Sequence, residues 1–336
     1  MTAWRSVRSV SNICTKFITP ALRSAGWDDI AQIREEVSFT KGRIIVRGKL
    51  VSRGKGKRAD YILSVKPNIP IALIEAKENT QAVGAGLRQG LEYAETLGIP
   101  FVFSSNGDGF VLHDRTGVSV TPEITLTLDQ FPSPDDLWAR YQKWKGLSDA
   151  ASAVALQDYF DDGSGKAPRY YQINAVNAAI EAIAKGQDLV LLVMATGTGK
   201  TYTAFLIIWR LWKAGQKKRI LFLADRNVLI DQTMVNDFRP FAGNMAKLST
   251  QSKTIERADA RNDILRTTRR LGRTVWRRWS GYHRRSLVET KMHCVKPPGE
   301  RVRSRDFDRQ VAGFQIRAAI LNRFTARGTP QTQRVA

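Results

Sequence analysis

Short apolar runs separated by turn-forming residues recur through the first part of the chain and predict a sheet. The runs "GRIIVRGKLV" and "RADYILSV" indicate two strands joined by the basic turn "SRGKGK", and "PIALIEAKEN" (70–79) indicates a third. "PFVFSSNGDGFVLHD" predicts a strand, a Gly/Asn turn and another strand.

Apolar residues at helical spacing interrupt these strands. "DDIAQIREEVSF" (28–39) begins with acidic residues and predicts a helix that carries Glu35 and Glu36. "AGLRQGLEYAETLG" predicts a second helix, which stops at Gly98. A sheet flanked by helices within the first 130 or so residues favours an α/β or α+β domain.

The pattern weakens between residues 121 and 166, where prolines recur and "DYFDDGSGKAP" is typical of a linker. "YYQINAVNAAIEAIAKGQ" then predicts a helix. "DLVLLVMATGTGKTYTAFLIIWRLWKAG" predicts a buried parallel-type strand, a glycine loop and a helix. "RILFLADRNVLIDQTMVNDF" adds a further strand and helix, so that the second half has βαβ organisation.

Composition narrows the class of protein. The chain has 336 residues, 43% of them hydrophobic and 25% charged, as in globular proteins. No apolar run approaches the roughly 20 residues that span a bilayer, and the N-terminus lacks the apolar core of a secretory signal. Two distant cysteines, Cys14 and Cys294, support neither a disulfide framework nor a zinc site. These features predict a cytoplasmic protein with no membrane partner.

The charge is strongly positive and unevenly distributed. The net charge is +22, which predicts a polyanionic partner such as nucleic acid. Residues 261–336 hold 19 Lys and Arg against 5 Asp and Glu, so this C-terminal segment carries most of the excess.

The segment "MATGTGKT" (194–201) follows the apolar run and precedes a helix, the context that a phosphate-binding loop needs. Gly197 and Gly199 allow the backbone amides to approach phosphates at a helix N-terminus. Lys200 would reach the β- and γ-phosphates, and Thr201 would place its hydroxyl on Mg²⁺. The alternative is a glycine-rich turn between strand and helix. The candidate ATP-binding residues of the loop are Thr196, Gly197, Thr198, Gly199, Lys200 and Thr201.

Two neighbouring segments resemble motifs of superfamily 2 helicases and translocases. In "RYYQINAV", Gln172 occupies the position that reads adenine in that superfamily, although without the loop it would pass for a surface glutamine. In "LADRNVLIDQ", the resemblance implies that the strand end at Asp225–Arg226 contacts the nucleic-acid backbone.

A second candidate site lies in the third predicted strand. Because strands alternate faces, Glu75 and Lys77 project from the same side, which Asp60 in the neighbouring strand can share. Two carboxylates and the Ala76 carbonyl would form a hard-oxygen site suited to Mg²⁺. The alternative is an ion pair at a strand end, which contributes little.

The arrangement D…E-x-K resembles the PD-(D/E)xK nucleases, in which the lysine orients or deprotonates the attacking water. Gln89 and Tyr93 lie four residues apart on one helix face and match a Q-x-x-x-Y motif found beside this nuclease core in some families. Glu35 or Glu36 would supply the additional carboxylate that such cores often carry.

The order of these motifs along the chain resembles the R (restriction and translocation) subunit of type I restriction enzymes. The resemblance covers about residues 15–255 and includes "ITPALRSAGW". It implies Mg²⁺-dependent cleavage of double-stranded DNA at Asp60, Glu75 and Lys77, an ATP-driven motor, and assembly with methylation and specificity subunits.

The resemblance predicts an α/β chain with four parts. Residues 1–145 would form a PD-(D/E)xK nuclease-like mixed-sheet domain, and 146–167 a linker. Residues 168–255 would start a RecA-like P-loop domain that is incomplete, and 256–336 would be an atypical Arg-rich tail.

The chain departs from the pattern of a working motor. It contains no Asp-Glu dipeptide to hold Mg²⁺ at the loop, and in residues 261–336 arginine outnumbers lysine 17 to 2 without any periodicity. We interpret the tail as the product of a shifted reading frame, or alternatively as a basic arm with Trp276, Trp279 and Tyr282 available for stacking. We therefore expect a fragment that cannot translocate. Other interpretations are a helicase-nuclease of DNA repair, or a DNA-binding P-loop protein without nuclease activity.

Overall fold

The computed structural model describes most of the first 245 residues. The described ranges are 8–40, 44–47, 50–53, 56–195, 197–222 and 227–245. Every helix and strand used below lies within one compact unit, Met1–Ala242. The predictions for Thr196, for Asp225–Arg226 and for residues 256–336 concern residues outside the described ones.

A six-stranded mixed sheet forms the centre of the N-terminal part, in the order β1-β4-β5-β6-β7-β8. Strands β5 and β6 run parallel and the other neighbours are antiparallel. The strands are β1 (Ile33–Phe39), β4 (Lys57–Lys66), β5 (Ile69–Ala76), β6 (Phe101–Ser105), β7 (Phe110–Asp114) and β8 (Glu123–Leu126). The strands predicted within 57–76 and 101–114 are therefore confirmed.

The predicted helix at 28–39 is wrong, because most of that segment is strand β1. Its pairing with β4 runs from Ile33 opposite Leu63 to Phe39 opposite Lys57, and both ends of β1 are buried. Pairing with β4 thus determines the structure of this segment, although its apolar residues are also spaced as in a helix. Glu35 and Glu36 lie on this strand instead of a helix, and Glu36 adopts a φ of 51°, which is uncommon for a residue other than glycine.

The predicted single strand in "GRIIVRGKLV" is also wrong. The run contains two short strands, β2 (Ile44–Arg47) and β3 (Leu50–Arg53), which pair antiparallel with each other. They form a separate two-stranded sheet beside the main one in the strand assignment.

The N-terminal helical segment and helix α3 cover the sheet. The segment comprises α1 (Val10–Ile13), a π-helical stretch (Cys14–Ile18) and α2 (Thr19–Ser24). Helix α3 (Leu87–Leu97) ends at Gly98, whose φ of 69° is the left-handed conformation that suits glycine at a helix end, as the sequence predicts. Buried residues of α3, among them Tyr93 and Leu97, join Leu73 and Val102 of the sheet in one apolar cluster.

Two helices follow in the region where the sequence pattern weakens. Helix α4 (Pro134–Lys145) begins with a capping box between Ser133 and Asp136, and helix α5 (Asp149–Ala155) is capped by Ser148. Helix α5 lies inside the span 146–167 that the sequence predicts as a linker. The part of that span after α5 contains no helix or strand.

Helices also form around the predicted phosphate loop, where α6 (Tyr170–Ala184), α7 (Lys200–Lys213) and α8 (Asn227–Val235) match the expected positions. The strand predicted before the loop is wrong, because residues 188–195 form no strand and Leu189 and Val193 are 64% and 63% exposed. Residues 219–222 likewise form no strand. An apolar run becomes a buried parallel strand only when neighbouring strands pair with it on both sides, and these two runs pair with none among the described residues.

None of the helices among the described residues combines the length and the apolarity that crossing a membrane demands.

Candidate nuclease and nucleotide-binding sites

Glu75 lies near the end of β5 and is the centre of the first site. Its side chain is fully buried (0% exposed), and neither carboxylate oxygen has a hydrogen-bond partner within the described part of the chain. Buried polar atoms in native proteins are nearly always paired. A buried carboxylate without a hydrogen-bond partner is therefore an exception that calls for a physical explanation.

Asp60 is the second carboxylate of the site. Strand β4 pairs with β5 so that Tyr61 faces Ile74, which sets Asp60 beside the end of β5. Asp60 Oδ2 accepts a hydrogen bond of 2.8 Å from the backbone N–H of Ala76. The predicted convergence of Asp60 with the Glu75–Lys77 segment is present in the fold.

Burial perturbs both carboxyl groups. Burial first, and then the neighbouring charge of Asp60, raise the pKa of Glu75 to about 8, although Lys77 lowers it. Burial also raises the pKa of Asp60, although the Ala76 N–H and Lys77 favour its ionised form. The protein therefore holds two carboxylates together at an energetic cost, which a bound cation would offset.

Lys77 is fixed by two residues of helix α3. Its Nζ donates a hydrogen bond of 3.0 Å to Gln89 Oε1, and Gln89 Nε2 donates one of 3.1 Å to the Tyr93 hydroxyl. The ammonium lies 3.8 Å from Glu75 Oε2. The five residues predicted as catalytic thus form one connected cluster: Asp60, Glu75, Lys77, Gln89 and Tyr93.

Two glycines, which the sequence analysis did not single out, allow α3 to approach this cluster. A Cβ atom at Gly86 would lie 2.8 Å from Ser104 Oγ and 2.9 Å from Glu75 Cβ. A Cβ atom at Gly90 would lie 2.7 Å from Val102 Cγ1. Gly86 and Gly90 lie four residues apart in the sequence, and Gly90 lies within the Q-x-x-x-Y motif. This G-x-x-x-G spacing was the sequence signal for a close approach of the helix to the sheet.

Replacing Gly90 with alanine is expected to destabilise the protein. Overpacking typically costs about 1–3 kcal/mol, and contact with the branched Val102 leaves no flexible atom to yield. Better helix propensity returns only about 1 kcal/mol. Urea unfolding should therefore give a lower midpoint for Gly90→Ala. The matched control is Gly84→Ala, where the added Cβ would meet Val111 at an ordinary 3.7 Å. Equal midpoints for the two variants would contradict the close packing.

The donor set suits Mg²⁺ more than a transition metal. Among the described residues, no group of three or more His, Cys, Asp or Glu side chains converges. Glu35 instead accepts a hydrogen bond from Thr19, and Glu36 pairs with Arg58 at 3.3 Å. Mg²⁺ is commonly held by one or two carboxylates while it keeps several waters. Asp60 and the unpaired oxygens of Glu75 fit that requirement.

The second site is the loop before helix α7. Gly197 and Gly199 adopt φ angles of 78° and 81°, which favour glycine and let the chain turn into the helix. Lys200 is the first residue of α7, and its Nζ donates a hydrogen bond of 3.2 Å to the Ala195 carbonyl. Thr198 donates its hydroxyl hydrogen to the same carbonyl. The ammonium of Lys200 thus lies over the loop, where a bound phosphate would also lie.

Gln172 contacts this loop directly. Its Nε2 donates hydrogen bonds to the carbonyls of Thr198 (3.2 Å) and Gly199 (3.4 Å), and its Oε1 accepts one from the Arg169 N–H. The side chain is buried and holds the loop against α6. Its predicted role in reading adenine stays a prediction.

Two protein families match the chain in separate segments. Residues 30–130 match the family described as "Type I restriction enzyme R protein N terminus (HSDR_N)". Residues 165–286 match the family described as "Type III restriction enzyme, res subunit". The second match extends about thirty residues past residue 255, where the resemblance by motifs ends.

Two curated relatives are similar over most of the chain. The EcoAI endonuclease subunit of a type I restriction enzyme from Escherichia coli is 56% identical over 249 residues, which are 74% of this chain and 30% of that protein. The EcoKI endonuclease subunit from Escherichia coli (strain K12) is 32% identical, over 66% of this chain and 23% of that protein. The chain thus spans less than a third of the length of these relatives.

A solved structure supports the same relationship. It is a fragment of a putative HsdR subunit of a type I restriction enzyme from Vibrio vulnificus YJ016, with a TM-score of 0.55 and 38% sequence identity. The match covers 62% of this chain and 39% of that one. Together with the two family matches and the 56% identity to the EcoAI subunit, it shows that the chain belongs to the family of type I restriction enzyme R subunits.

Proposed function

We propose that the cluster around Glu75 is a Mg²⁺-dependent nuclease site that cleaves phosphodiester bonds of double-stranded DNA. The observation that carries the proposal is the fully buried Glu75 carboxylate, which has no hydrogen-bond partner among the described residues and lies beside Asp60 and Lys77. An ordinary strand-end ion pair would be exposed and would leave no buried oxygen unpaired. A strand-end ion pair between Glu75 and Lys77 therefore does not account for the burial of Glu75.

Each residue of the cluster has a role in this proposal. Asp60 and Glu75 would hold Mg²⁺, which would supply Lewis-acid stabilisation of the charge that grows on the phosphate. Lys77 orients the attacking water, and it can accept a proton from that water only as the neutral amine. Gln89 and Tyr93 keep the ammonium of Lys77 within reach of Glu75, since the hydrogen bond from Lys77 to Gln89 fixes its direction.

The loop at 197–201 is proposed to bind ATP, with Lys200 on the β- and γ-phosphates and Thr201 on Mg²⁺. We propose that these 336 residues do not form a working motor by themselves. The chain has no Asp-Glu dipeptide to activate water, and the runs at 188–195 and 219–222 form no strand beside the loop. Nucleotide binding and translocation are thus separate expectations.

The proposed setting is the cytoplasm, in a complex with methylation and specificity subunits. The names of the curated relatives call them endonuclease subunits of type I restriction enzymes. A cluster that cuts DNA without base-reading groups agrees with this, because phosphate contacts suffice when another subunit supplies the sequence recognition. Co-purification of the chain with a methylation subunit tests the assembly; a repair enzyme would lack that partner.

We propose from its composition that the Arg-rich tail is the product of a shifted reading frame, although the family match that reaches residue 286 speaks against a shift as early as residue 256. The nucleotide sequence tests this assignment. A continuation in another frame that encodes an Asp-Glu motif would support it, and its absence would favour the basic DNA-binding arm.

Replacing Lys77 with alanine is expected to lower the rate of Mg²⁺-dependent nicking of circular DNA by about 10²-fold, the usual contribution of a positioned proton-transfer group. The matched control is Lys66→Ala. It removes a partly exposed lysine at the end of the neighbouring strand β4, which forms an ion pair with Asp158. That variant should nick at the wild-type rate. Equal losses in both variants would point to DNA binding by bulk charge instead of a nuclease site.

A further inference from the structure

Helix α6 contacts the phosphate loop on one side, and on the other it contacts the elements that carry the nuclease cluster, at their ends away from Asp60 and Glu75. On the side of the phosphate loop, the Tyr171 hydroxyl donates a hydrogen bond of 3.2 Å to the carbonyl of Thr198, the same atom that Gln172 contacts. These bonds join the first turn of α6 to the backbone of the loop.

The next turns of the same helix contact the nuclease part. Asn174 Nδ2 donates a hydrogen bond of 3.4 Å to the carbonyl of Thr96, near the end of the helix that carries Gln89 and Tyr93. Asn177 Nδ2 donates one of 3.0 Å to the carbonyl of Asn68. Asn68 lies in the turn that joins β4 to β5, the two strands that carry Asp60 and Glu75.

The turn at Asn68 is held in a conformation that few side chains favour. Asn68 has a φ of 65°, and its own side-chain oxygen is buried without a hydrogen-bond partner in the described structure. Asparagine tolerates this left-handed conformation in turns, so the φ by itself shows no strain. The bond from Asn177 is the side-chain contact that fixes the Asn68 carbonyl from outside the hairpin.

The other end of the Asn177 amide is tied to the helix that begins at the phosphate loop. Asn177 Oδ1 accepts hydrogen bonds from Arg210 (2.7 Å) and from the Tyr159 hydroxyl (2.8 Å). Arg210 belongs to α7, is fully buried (0% exposed) and also donates to the carbonyl of Gln157. A buried guanidinium held by several acceptors in a fixed fork permits little independent movement.

We propose that Asn177 is a positioning residue that couples nucleotide binding at the loop to the β4–β5 hairpin of the nuclease site. This inference rests on the nucleotide and nuclease sites of the proposed function. When Lys200 leaves the Ala195 carbonyl for a phosphate, the first turn of α7 changes its contacts. Arg210, about 15 Å further along that helix, transmits the adjustment to Asn177, and Asn177 transmits it to the carbonyl of Asn68.

Hydrogen exchange of the full chain, measured with and without Mg²⁺ and a non-hydrolysable ATP analogue, tests the coupling. In the wild type, nucleotide should slow exchange in the loop and also in the hairpin peptide 61–76, by about fivefold or more, the lower end of typical coupling. The variant Asn177→Asp keeps acceptors for Arg210 and Tyr159 but cannot donate to Asn68. It should keep the slowing at the loop and lose it in the hairpin.

Controls separate this outcome from a structural effect. Asn12→Asp makes the same change at an exposed position of α1 and should behave as the wild type. If Asn177→Asp does not fold, Asn177→Ala, which buries no new charge, should give the same loss of hairpin protection. Slowing at the loop without slowing in the wild-type hairpin overturns the inference and leaves the proposed function intact, as does hairpin slowing that survives in both Asn177 variants. No slowing at the loop overturns nucleotide binding itself, and the inference with it.

Discussion

Replacing Glu75 with glutamine is expected to lower the rate of Mg²⁺-dependent DNA nicking by about 10³-fold or more. The substitution keeps the shape of the side chain but removes the ionised oxygens, and loss of metal-assisted charge stabilisation is worth several kcal/mol, where each 1.36 kcal/mol is a factor of ten. Nicking of circular duplex DNA over time measures the effect. Glu75 has the largest expected effect in the cluster because both of its oxygens are buried and have no hydrogen-bond partner among the described residues.

The matched control for this prediction is Glu78→Gln. Glu78 is an exposed carboxylate three residues further along the chain, just beyond β5, so the same charge is removed outside the cluster. It should nick at the wild-type rate. Undiminished nicking by Glu75→Gln would mean that the phosphodiester chemistry takes place elsewhere, and the protein would then be better described as a DNA-binding P-loop protein.

The same substitution is expected to make the protein more stable, and the pH dependence follows from the pKa. Below pH 4.5, Glu75 is protonated in both the folded and the unfolded chain, and its ionisation does not affect the free energy of unfolding. As the pH rises to about 8, the unfolded chain releases the proton that the folded protein retains, so the wild type loses stability. Without Mg²⁺, the free energy of unfolding measured in urea should therefore be higher for Glu75→Gln than for the wild type. The difference should be on the order of a few kcal/mol above pH 8 and much smaller near pH 5. Added Mg²⁺ should restore only the wild type.

Local spacing in the sequence set the residues of the Glu75 cluster in pairs, but their selection as a site came from the resemblance to nucleases and to type I R subunits. Glu75 and Lys77 lie two apart at a strand end, and Gln89 and Tyr93 lie one helical turn apart, so short-range geometry already sets each pair on one side of its element. The structure adds the hydrogen bond from Lys77 to Gln89, which no spacing predicted. What joins the pairs is the close approach of α3 to β5 at Gly90, and neither periodicity nor charge reveals such an approach.

Two of the wrong predictions concern elements whose state depends on distant partners. Strand β1 has apolar residues at intervals that also suit a helix, and only its pairing with β4 decides between the two. The run at 188–195 is apolar enough for a buried strand, yet it needs neighbouring strands that the described part of the chain does not supply. Arg210 has no signal in the sequence at all, because its acceptors belong to α6 and to the segment after α5.

Replacing Lys200 with alanine is expected to weaken nucleotide binding strongly, measured as a smaller thermal shift at a given concentration of Mg²⁺ and ATP. The loop glycines give the backbone its shape, but Lys200 supplies the positive charge that reaches the phosphates. A hydrogen-bonded ion pair with a phosphate is worth about 1.5–3 kcal/mol, which corresponds to a loss of affinity of about tenfold to 150-fold. The matched control is Lys213→Ala, which removes a lysine from the other end of α7 and should leave the thermal shift unchanged.

Hydrolysis of ATP provides the sharper part of this prediction, because binding and hydrolysis need different groups. The loop residues 197–201 can hold a nucleotide, whereas activation of water in this class of motor needs the Asp-Glu motif that the 336 residues lack. Wild type and Lys200→Ala should therefore show the same background ATPase rate, with and without DNA, although the wild type binds ATP more tightly. A DNA-stimulated rate that Lys200→Ala abolishes would contradict the proposal that the chain is motor-deficient, and it would require another residue of the chain to activate the water.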